Sequence, residues 1–105
     1  MTTYVISVPG TFTGGAGPDT RTELARALRP EDPHRTHLGT EEDLDVLTVN
    51  DDDTFTLRLT VDASSGPEAE REAKRIAASA LSAVGLDESR APLGPAAVTG
   101  IDSEG

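Results

Sequence analysis

Within residues 54–85 the spacing of the apolar residues changes once, and this change constrains the fold more than any other feature of the chain. Residues 54–61 alternate polar and apolar side chains, which predicts a strand with one buried face. From residue 65 to 84 the apolar residues recur at helical spacing, which predicts a helix with one apolar stripe. The stripe consists of Ala69, Ala73, Ile76, Ala77, Ala80, Leu81 and Val84. We therefore expect the helix to fold back and pack against the strand.

The two ends of this helix carry recognisable signals. Ser65-Gly66-Pro67-Glu68 has the pattern of a capping box, with proline in the first turn. Gly85 follows the last apolar residue and predicts the end of the helix.

The rest of the chain supplies the remaining elements. Strands are predicted at 2–8, 44–50 and 96–101, and a short helix begins at the second capping-box pattern, Thr20 to Glu23, and ends before Pro30. Residues 31–43 are predicted to be a mobile loop and 86–95 a linker. The order strand, helix, strand, strand, helix, strand resembles that of ferredoxin-like domains, a resemblance of fold pattern without a family motif.

This order predicts an α+β sandwich in which a four-stranded antiparallel sheet carries both helices on one face. One such domain is expected at 1–101, followed by a flexible tail at 102–105. In the predicted register Phe55, Leu57, Leu59 and Val61 face the helices, and Thr56, Arg58 and Thr60 face the other way. Tyr4, Ile6, Val8, Leu24 and Leu28 are expected to join the core.

The charge of the chain excludes some partners. The net charge is −10, and residues 31–62 alone contribute ten acids against two arginines. Nucleic acid and anionic lipid are bound through clusters of Lys and Arg, so neither is expected as a partner. The sequence contains no cysteine, no signal-peptide pattern and no apolar run of membrane-spanning length, which predicts a soluble cytoplasmic protein. Arginine outnumbers lysine eight to one, a bias typical of a GC-rich bacterial genome.

Residues 10–18 form a glycine-rich segment between a predicted strand and a helix start, where backbone N–H groups can hold an anion. The candidate ligand-binding residues there are Phe12, Gly14, Gly15 and Gly17. The segment lacks the Lys-Ser/Thr of a Walker loop, and Pro18 and Asp19 stand in place of a third dinucleotide-motif glycine. The alternative is a flexible connector, because glycine allows many backbone conformations.

His34 and His37 are the candidate metal ligands. They form an H-x-x-H pattern with Glu41, Glu42 and Asp43 nearby, which could complete a site. A solvent-exposed loop is the preferred interpretation, because Pro33 and the lack of a helical period leave the imidazoles without fixed geometry.

The triple aspartate at 51–53 lacks the EF-hand spacing and is interpreted as an acidic turn. No serine stands in a nucleophile-elbow context, so the sequence indicates no catalytic residue and no cofactor. The preferred hypothesis is a non-catalytic interaction or accessory domain. Its partner would be a protein or a second copy that meets the sheet face or a strand edge. The alternative is a ligand-binding or enzymatic dimer with its site at residues 10–18.

Overall fold

The computed structural model describes residues 2–15, 17–29 and 46–102. The described elements follow in the predicted order. They are strand β1 (Thr2–Thr11), helix α1 (Pro18–Ala27), strands β2 (Leu47–Val49) and β3 (Thr54–Ala63), helix α2 (Gly66–Ala83) and strand β4 (Ala97–Asp102). The predicted linker at 86–95 lies within the described part, whereas the predicted loop at 31–43 and the end of the predicted tail lie outside it.

The four described strands form one antiparallel sheet in the order β2-β3-β1-β4. β1 and β3 are the inner strands, and they pair over their full lengths from Thr2↔Ala63 to Thr11↔Thr54. The predicted α+β architecture, a four-stranded antiparallel sheet with two helices, is confirmed in the described residues.

One hydrophobic core lies between the sheet and the helices. β3 buries every second residue, as its alternation predicts, and these residues pack with those from both helices. The predicted core residues all belong to this cluster or pack against its edge, including Leu24 and Leu28 from α1 and its end. The face assignment of β3 is therefore confirmed.

Both ends of α2 form as the sequence predicts. The Ser65 hydroxyl accepts a hydrogen bond from the Glu68 N–H at 3.4 Å. At the other end Gly85 has φ +82°, and the N–H groups of Gly85 and Leu86 donate to the carbonyls of Ser82 and Leu81 at 3.1 and 2.8 Å. This pair of bonds is a Schellman motif, which requires a left-handed residue that glycine supplies without strain.

β1 is longer than predicted, because Pro9 and Gly10 do not end it. Gly10 pairs with Phe55, and a Cβ at Gly10 would lie 2.3 Å from the tip of the Phe55 ring. Phe12 stacks on the same ring, with centroids 4.2 Å apart. The glycine therefore makes room for an aromatic pair inside the strand and does not mark a turn.

α1 begins earlier than predicted, and Thr20 is not its cap. Gly17 is the N-cap residue and Pro18 occupies the first turn, where its missing N–H costs nothing. Thr22 donates its hydroxyl to the Pro18 carbonyl one turn back, at 2.9 Å. The capping-box pattern thus lies inside the helix.

The alternation predicted for β2 does not hold at Val46. The alternation places this residue on the face of Thr48, but it precedes the strand and is buried in the core. Its carbonyl accepts the Arg58 N–H at 2.9 Å, which extends the hairpin contact beyond the regular strand.

Candidate functional site

The face of the sheet turned away from the helices is rich in threonine, and we call it the threonine face. On β3 it carries Thr54, Thr56, Arg58, Thr60 and Asp62, and it includes the residues that pair with them. Those partners include Thr3, Val5, Ser7, Pro9 and Thr11 on β1 and Thr48 on β2. In the described part of the chain, both helices bury their apolar residues on the opposite side.

Hydroxyl groups on the threonine face are linked to their neighbours across the strands. The Thr3 hydroxyl donates to the Asp62 carboxylate at 2.5 Å. Thr99, at a bulge in β4, lies 3.4 Å from the Ser7 hydroxyl and donates to the Val5 carbonyl at 3.3 Å. These bonds tie polar side chains of the face to the neighbouring strands.

Two opposite charges stand on β3 at equal distances from Thr60. Arg58 is half-buried and donates through Nη1 to the Thr48 hydroxyl at 3.0 Å. Asp62 is exposed. Val5, paired with Thr60, lies on this face and is fully buried. The charge pattern along β3 is thus positive, neutral and negative at positions 58, 60 and 62.

Both edges of the described sheet are poorly suited to pair with another strand. β2 has only three residues. β4 contains Gly100 and a register shift opposite Val5 and Ile6, and such a bulge twists the edge. Ile101, 55% exposed, is the large apolar side chain that the described surface leaves uncovered. The sequence predicts that a partner meets either the sheet face or a strand edge. Of these two surfaces, the threonine face is the more regular.

The candidate ligand-binding residues at 12–17 lie between two other loops. Phe12 is 1% exposed and packs in the core, whereas Gly14 and Gly17 are exposed. Gly15 has φ +72°, a conformation that favours glycine. The structure therefore brings the three glycines to the surface but places the Phe12 side chain away from it. Ligand binding at this segment stays a prediction.

Hydrogen bonds within the protein already use several backbone donors of this segment. The Phe12 N–H donates to the Asp53 carbonyl and the Thr13 N–H to the Arg90 carbonyl, both at 2.9 Å. The Gly15 N–H donates to the Phe12 carbonyl at 3.0 Å. An anion at this position would meet the amides of Gly14, Gly17 and the start of α1, close to the acidic side chain of Asp19.

The acidic turn at 50–53 closes the hairpin between β2 and β3. The Asp52 carboxylate accepts the N–H and the hydroxyl of Thr54, at 3.1 and 2.5 Å. These bonds, first of all that of the Thr54 side chain, hold the pKa of Asp52 below its ordinary value. Asp53 has φ 65°, which aspartate tolerates better than most residues. These contacts show that the acidic residues stabilise the turn.

A cavity of about 300 Å³ lies beside the C-terminal half of α2. Lys74, Ala78, Leu81 and Ser82 form its helical wall, since residues at this spacing share one side of a helix. Lys74 and Ser82 stand at opposite ends of this wall, about 12 Å apart at 1.5 Å per residue.

The facing wall is formed by the segment after α2. Leu86, Ala91 and Leu93 contribute apolar surface, and Asp87 and Glu88 contribute carboxylates. The Asp87 carboxylate accepts the Ser89 hydroxyl at 2.6 Å and the Ser89 and Arg90 N–H groups, and these bonds hold its pKa below the ordinary value. It therefore stays ionised near neutral pH.

Backbone bonds fasten this wall to β1. The Thr11 N–H donates to the Pro92 carbonyl at 3.2 Å, and the Gly94 N–H donates to the Pro9 carbonyl at 2.8 Å. Gly10 also forms a β-bridge with Leu93. The predicted linker is thus a fixed part of the domain, and the cavity has two ordered walls.

The candidate metal ligands His34 and His37 lie outside the described residues, so metal binding there stays a prediction. Among the residues that are described, no three His, Cys, Asp or Glu side chains come together as a metal site would require. Within the same residues, no helix combines the length and apolarity needed to cross a membrane.

Comparisons with family models, curated proteins and solved structures find no significant match to this chain. A function has therefore to be argued from the chain's own residues.

The sequence does not reveal the cavity, because the prolines and the glycine of residues 86–95 predict a linker. A local signal was present. Asp87 followed by Ser89 is typical of a turn closed by an aspartate side chain, and Leu86, Ala91 and Leu93 supply apolar contacts. What the sequence does not show is that β1 binds this segment, since their sequence separation exceeds 80 residues.

Proposed function

We propose that this chain is a non-catalytic interaction domain and that its threonine face binds a second copy of the chain. The observation that carries the proposal is the placement of Arg58 and Asp62 at equal distances on either side of Thr60. A pattern of this kind is complementary to itself when one copy is turned over onto the other.

The expected contact follows from two-fold symmetry. In an isologous interface, if residue 58 contacts residue 62 of the other copy, the reverse contact also forms. An axis that runs across the strands at Thr60 and Val5 places β3 antiparallel on β3. Stacked sheets lie about 10 Å apart, a gap that an extended arginine and an aspartate can bridge. Two equivalent Arg58–Asp62 pairs would then form.

The size of the overlap sets the expected affinity. Around this axis the two copies share about seven residues of β1 across the strands β3, β1 and β4, roughly 23 Å by 14 Å, because β2 pairs only at and beyond one end of the overlap. The resulting area of about 320 Å² per copy is below the ~800 Å² of a standard interface. Each chain also has a net charge of −10, which opposes association. We therefore expect a weak dimer with a micromolar or higher Kd.

The same proposal includes the ferredoxin-like class of the fold. Its support is the element order together with the strand order of the sheet. β3 lies between the two strands that α1 connects, and β1 lies between the two strands that α2 connects. Two right-handed crossovers would place both helices over the core and leave the threonine face for a partner. An experimental structure that traces residues 30–45 would test this assignment.

The dimer is tested with charge reversals and analytical ultracentrifugation from about 10 µM to 1 mM. Arg58→Glu makes both charged positions negative, and Asp62→Lys makes both positive. We expect each variant alone to dissociate about tenfold more readily than the parent chain, a change of ~1.4 kcal/mol. An equimolar mixture of the two variants should form a heterodimer, because every contact then joins opposite charges.

Arg71→Glu is the matched control, since Arg71 is exposed on α2 and the substitution changes net charge equally. It should leave association unchanged apart from the small effect of net charge. A parent chain that stays monomeric at 1 mM, or a mixture no more associated than its components, would contradict self-association. If a different protein then bound the face and Arg58→Glu weakened it, the interaction-domain role would stand with another partner.

A further inference from the structure

We propose that the cavity between α2 and residues 86–93 binds a small organic amine, a ligand with an apolar body and one ammonium group. This inference does not depend on the threonine face, because the cavity lies on the helix side of the domain. It rests on the shape of the cavity, on the order of its walls and on where its charges stand.

The cavity has the size and lining of a small-ligand site. Its volume of about 300 Å³ lies at the lower end of the range for such sites. At roughly 30 Å³ per water-sized group, it holds about ten non-hydrogen atoms. Ala78, Leu81, Leu86, Ala91 and Leu93 give it a mostly apolar lining. An apolar body of about eight carbons therefore fits it.

The walls are ordered before any ligand binds. Leu81 and Leu86 are joined by the Schellman bond that ends α2, at 2.8 Å. Asp87 caps the next turn, in which the Arg90 and Ala91 N–H groups donate to its carbonyl at 3.0 and 2.8 Å. A cavity with fixed walls binds with a smaller entropic cost than one that must close around its ligand.

The charges favour a cation at one end. Asp87 and Glu88 stand beside the C-terminus of α2, where the helix dipole is negative. Arg90, in the same turn, offsets part of the Asp87 charge, so Glu88 and the dipole supply most of the attraction. Within α2, which is described throughout, the last turn contains no basic residue to offset that dipole. Lys74 stands at the other end of the helical wall, about 12 Å from Ser82 along the helix axis. An ammonium group is therefore attracted to the acidic end, and a carboxylate is repelled from it.

The probes are octylamine, octanol and octanoate, which share one apolar chain and differ in the charge of the head group. Binding is followed by backbone amide shifts in ¹H–¹⁵N spectra of the full chain. We expect saturable shifts concentrated at residues 81–82 and 86–91, with octylamine the tightest and octanoate the weakest ligand. Glu88→Gln should weaken octylamine about two- to fivefold, as expected for an exposed charge pair, and leave octanol unchanged.

Ala78→Phe tests the cavity itself, because the new ring fills it without changing the net charge. Ala78 is exposed, so the chain should accept the substitution. Ala83→Phe is the control: Ala83 is exposed on the same helix, outside the cavity lining. Octylamine should bind the Ala83 variant normally and the Ala78 variant at least tenfold more weakly.

Three results would overturn the proposal. They are tighter binding of octanoate than of octylamine, equal binding by the two phenylalanine variants, and shifts spread evenly over the acidic surface. If Ala78→Phe unfolds the chain, the Glu88→Gln comparison between octylamine and octanol decides alone.

Discussion

Leu57 shows at the scale of one residue how β3 divides the domain into two sides. Its side chain is fully buried among residues of both helices, whereas the next side chain, Thr56, stands on the threonine face. Leu57→Ala should lower the free energy of unfolding by about 2–5 kcal/mol, because the lost contacts leave a void. The change is to be measured by urea unfolding.

Thr56→Ala is the neighbouring control, and we expect a change below about 0.5 kcal/mol, as for most surface positions. Equal losses for the two variants would mean that the two sides of β3 are buried alike. That result would also remove the surface on which the proposed dimer depends.

Gly10 and Phe12 show where residue-level reasoning fails. A glycine after a proline usually marks a turn, but here the ring of Phe55 occupies the space of the missing side chain. The partner is 45 positions away, so no local pattern indicates it. For the same reason Phe12, expected beside a ligand, stacks inside the core.

At the scale of elements, the end of α2 depends on the backbone conformation of Gly85. Its φ of +82° is unfavourable for any residue with a Cβ. We expect Gly85→Ala to destabilise the domain by roughly 1 kcal/mol, observed as a lower Tm in thermal unfolding.

Gly14→Ala provides the comparison, because a Cβ at Gly14 would meet no atom within 4 Å. Its φ lies outside the left-handed region, so the variant should be neutral or slightly more stable. A larger loss at Gly14 than at Gly85 would contradict the helix-end argument. It would point to a role for the glycine-rich segment that the described contacts do not explain.

The sequence predicts well those elements whose apolar residues recur at a regular spacing. It does not predict those that depend on contacts with residues far away in the sequence. The alternation of β3 and the stripe of α2 identify their buried sides, because each repeats over several turns or residue pairs. The extension of β1 and the fixed position of residues 86–94 come from their mutual pairing. The cavity depends on the same pairing. The sequence therefore predicts the helix that forms one wall, but not that residues 86–93 lie opposite it.

At the scale of the whole molecule, the distribution of charge predicts little affinity for nucleic acid. Arg71, Lys74 and Arg75 share the outer side of α2, but Arg75 forms an ion pair with Glu72, and Glu68 and Glu70 are close in sequence. Because acidic side chains neutralise these basic residues, the helix surface would release few counterions on binding a phosphate backbone. We expect no saturable binding of fluorescent DNA or RNA pools below about 100 µM protein, even at low salt.

Fluorescence anisotropy at 20 mM and 200 mM salt checks this expectation. Micromolar binding that weakens steeply at the higher salt concentration would show that a basic surface exists despite the net charge.

The inner position of β1 has a consequence for the time course of synthesis. β1 leaves the ribosome before both of its partners, since β3 on one side begins at Thr54 and β4 on the other side begins at Ala97. At roughly 5–20 residues per second, the interval between the end of β1 and the start of β4 is about 4–17 s. Until β3 emerges both hydrogen-bonding edges of β1 are unpaired, and the edge that β4 covers stays unpaired for the whole interval, so the nascent chain is open to mispairing and to chaperone binding before β4 emerges.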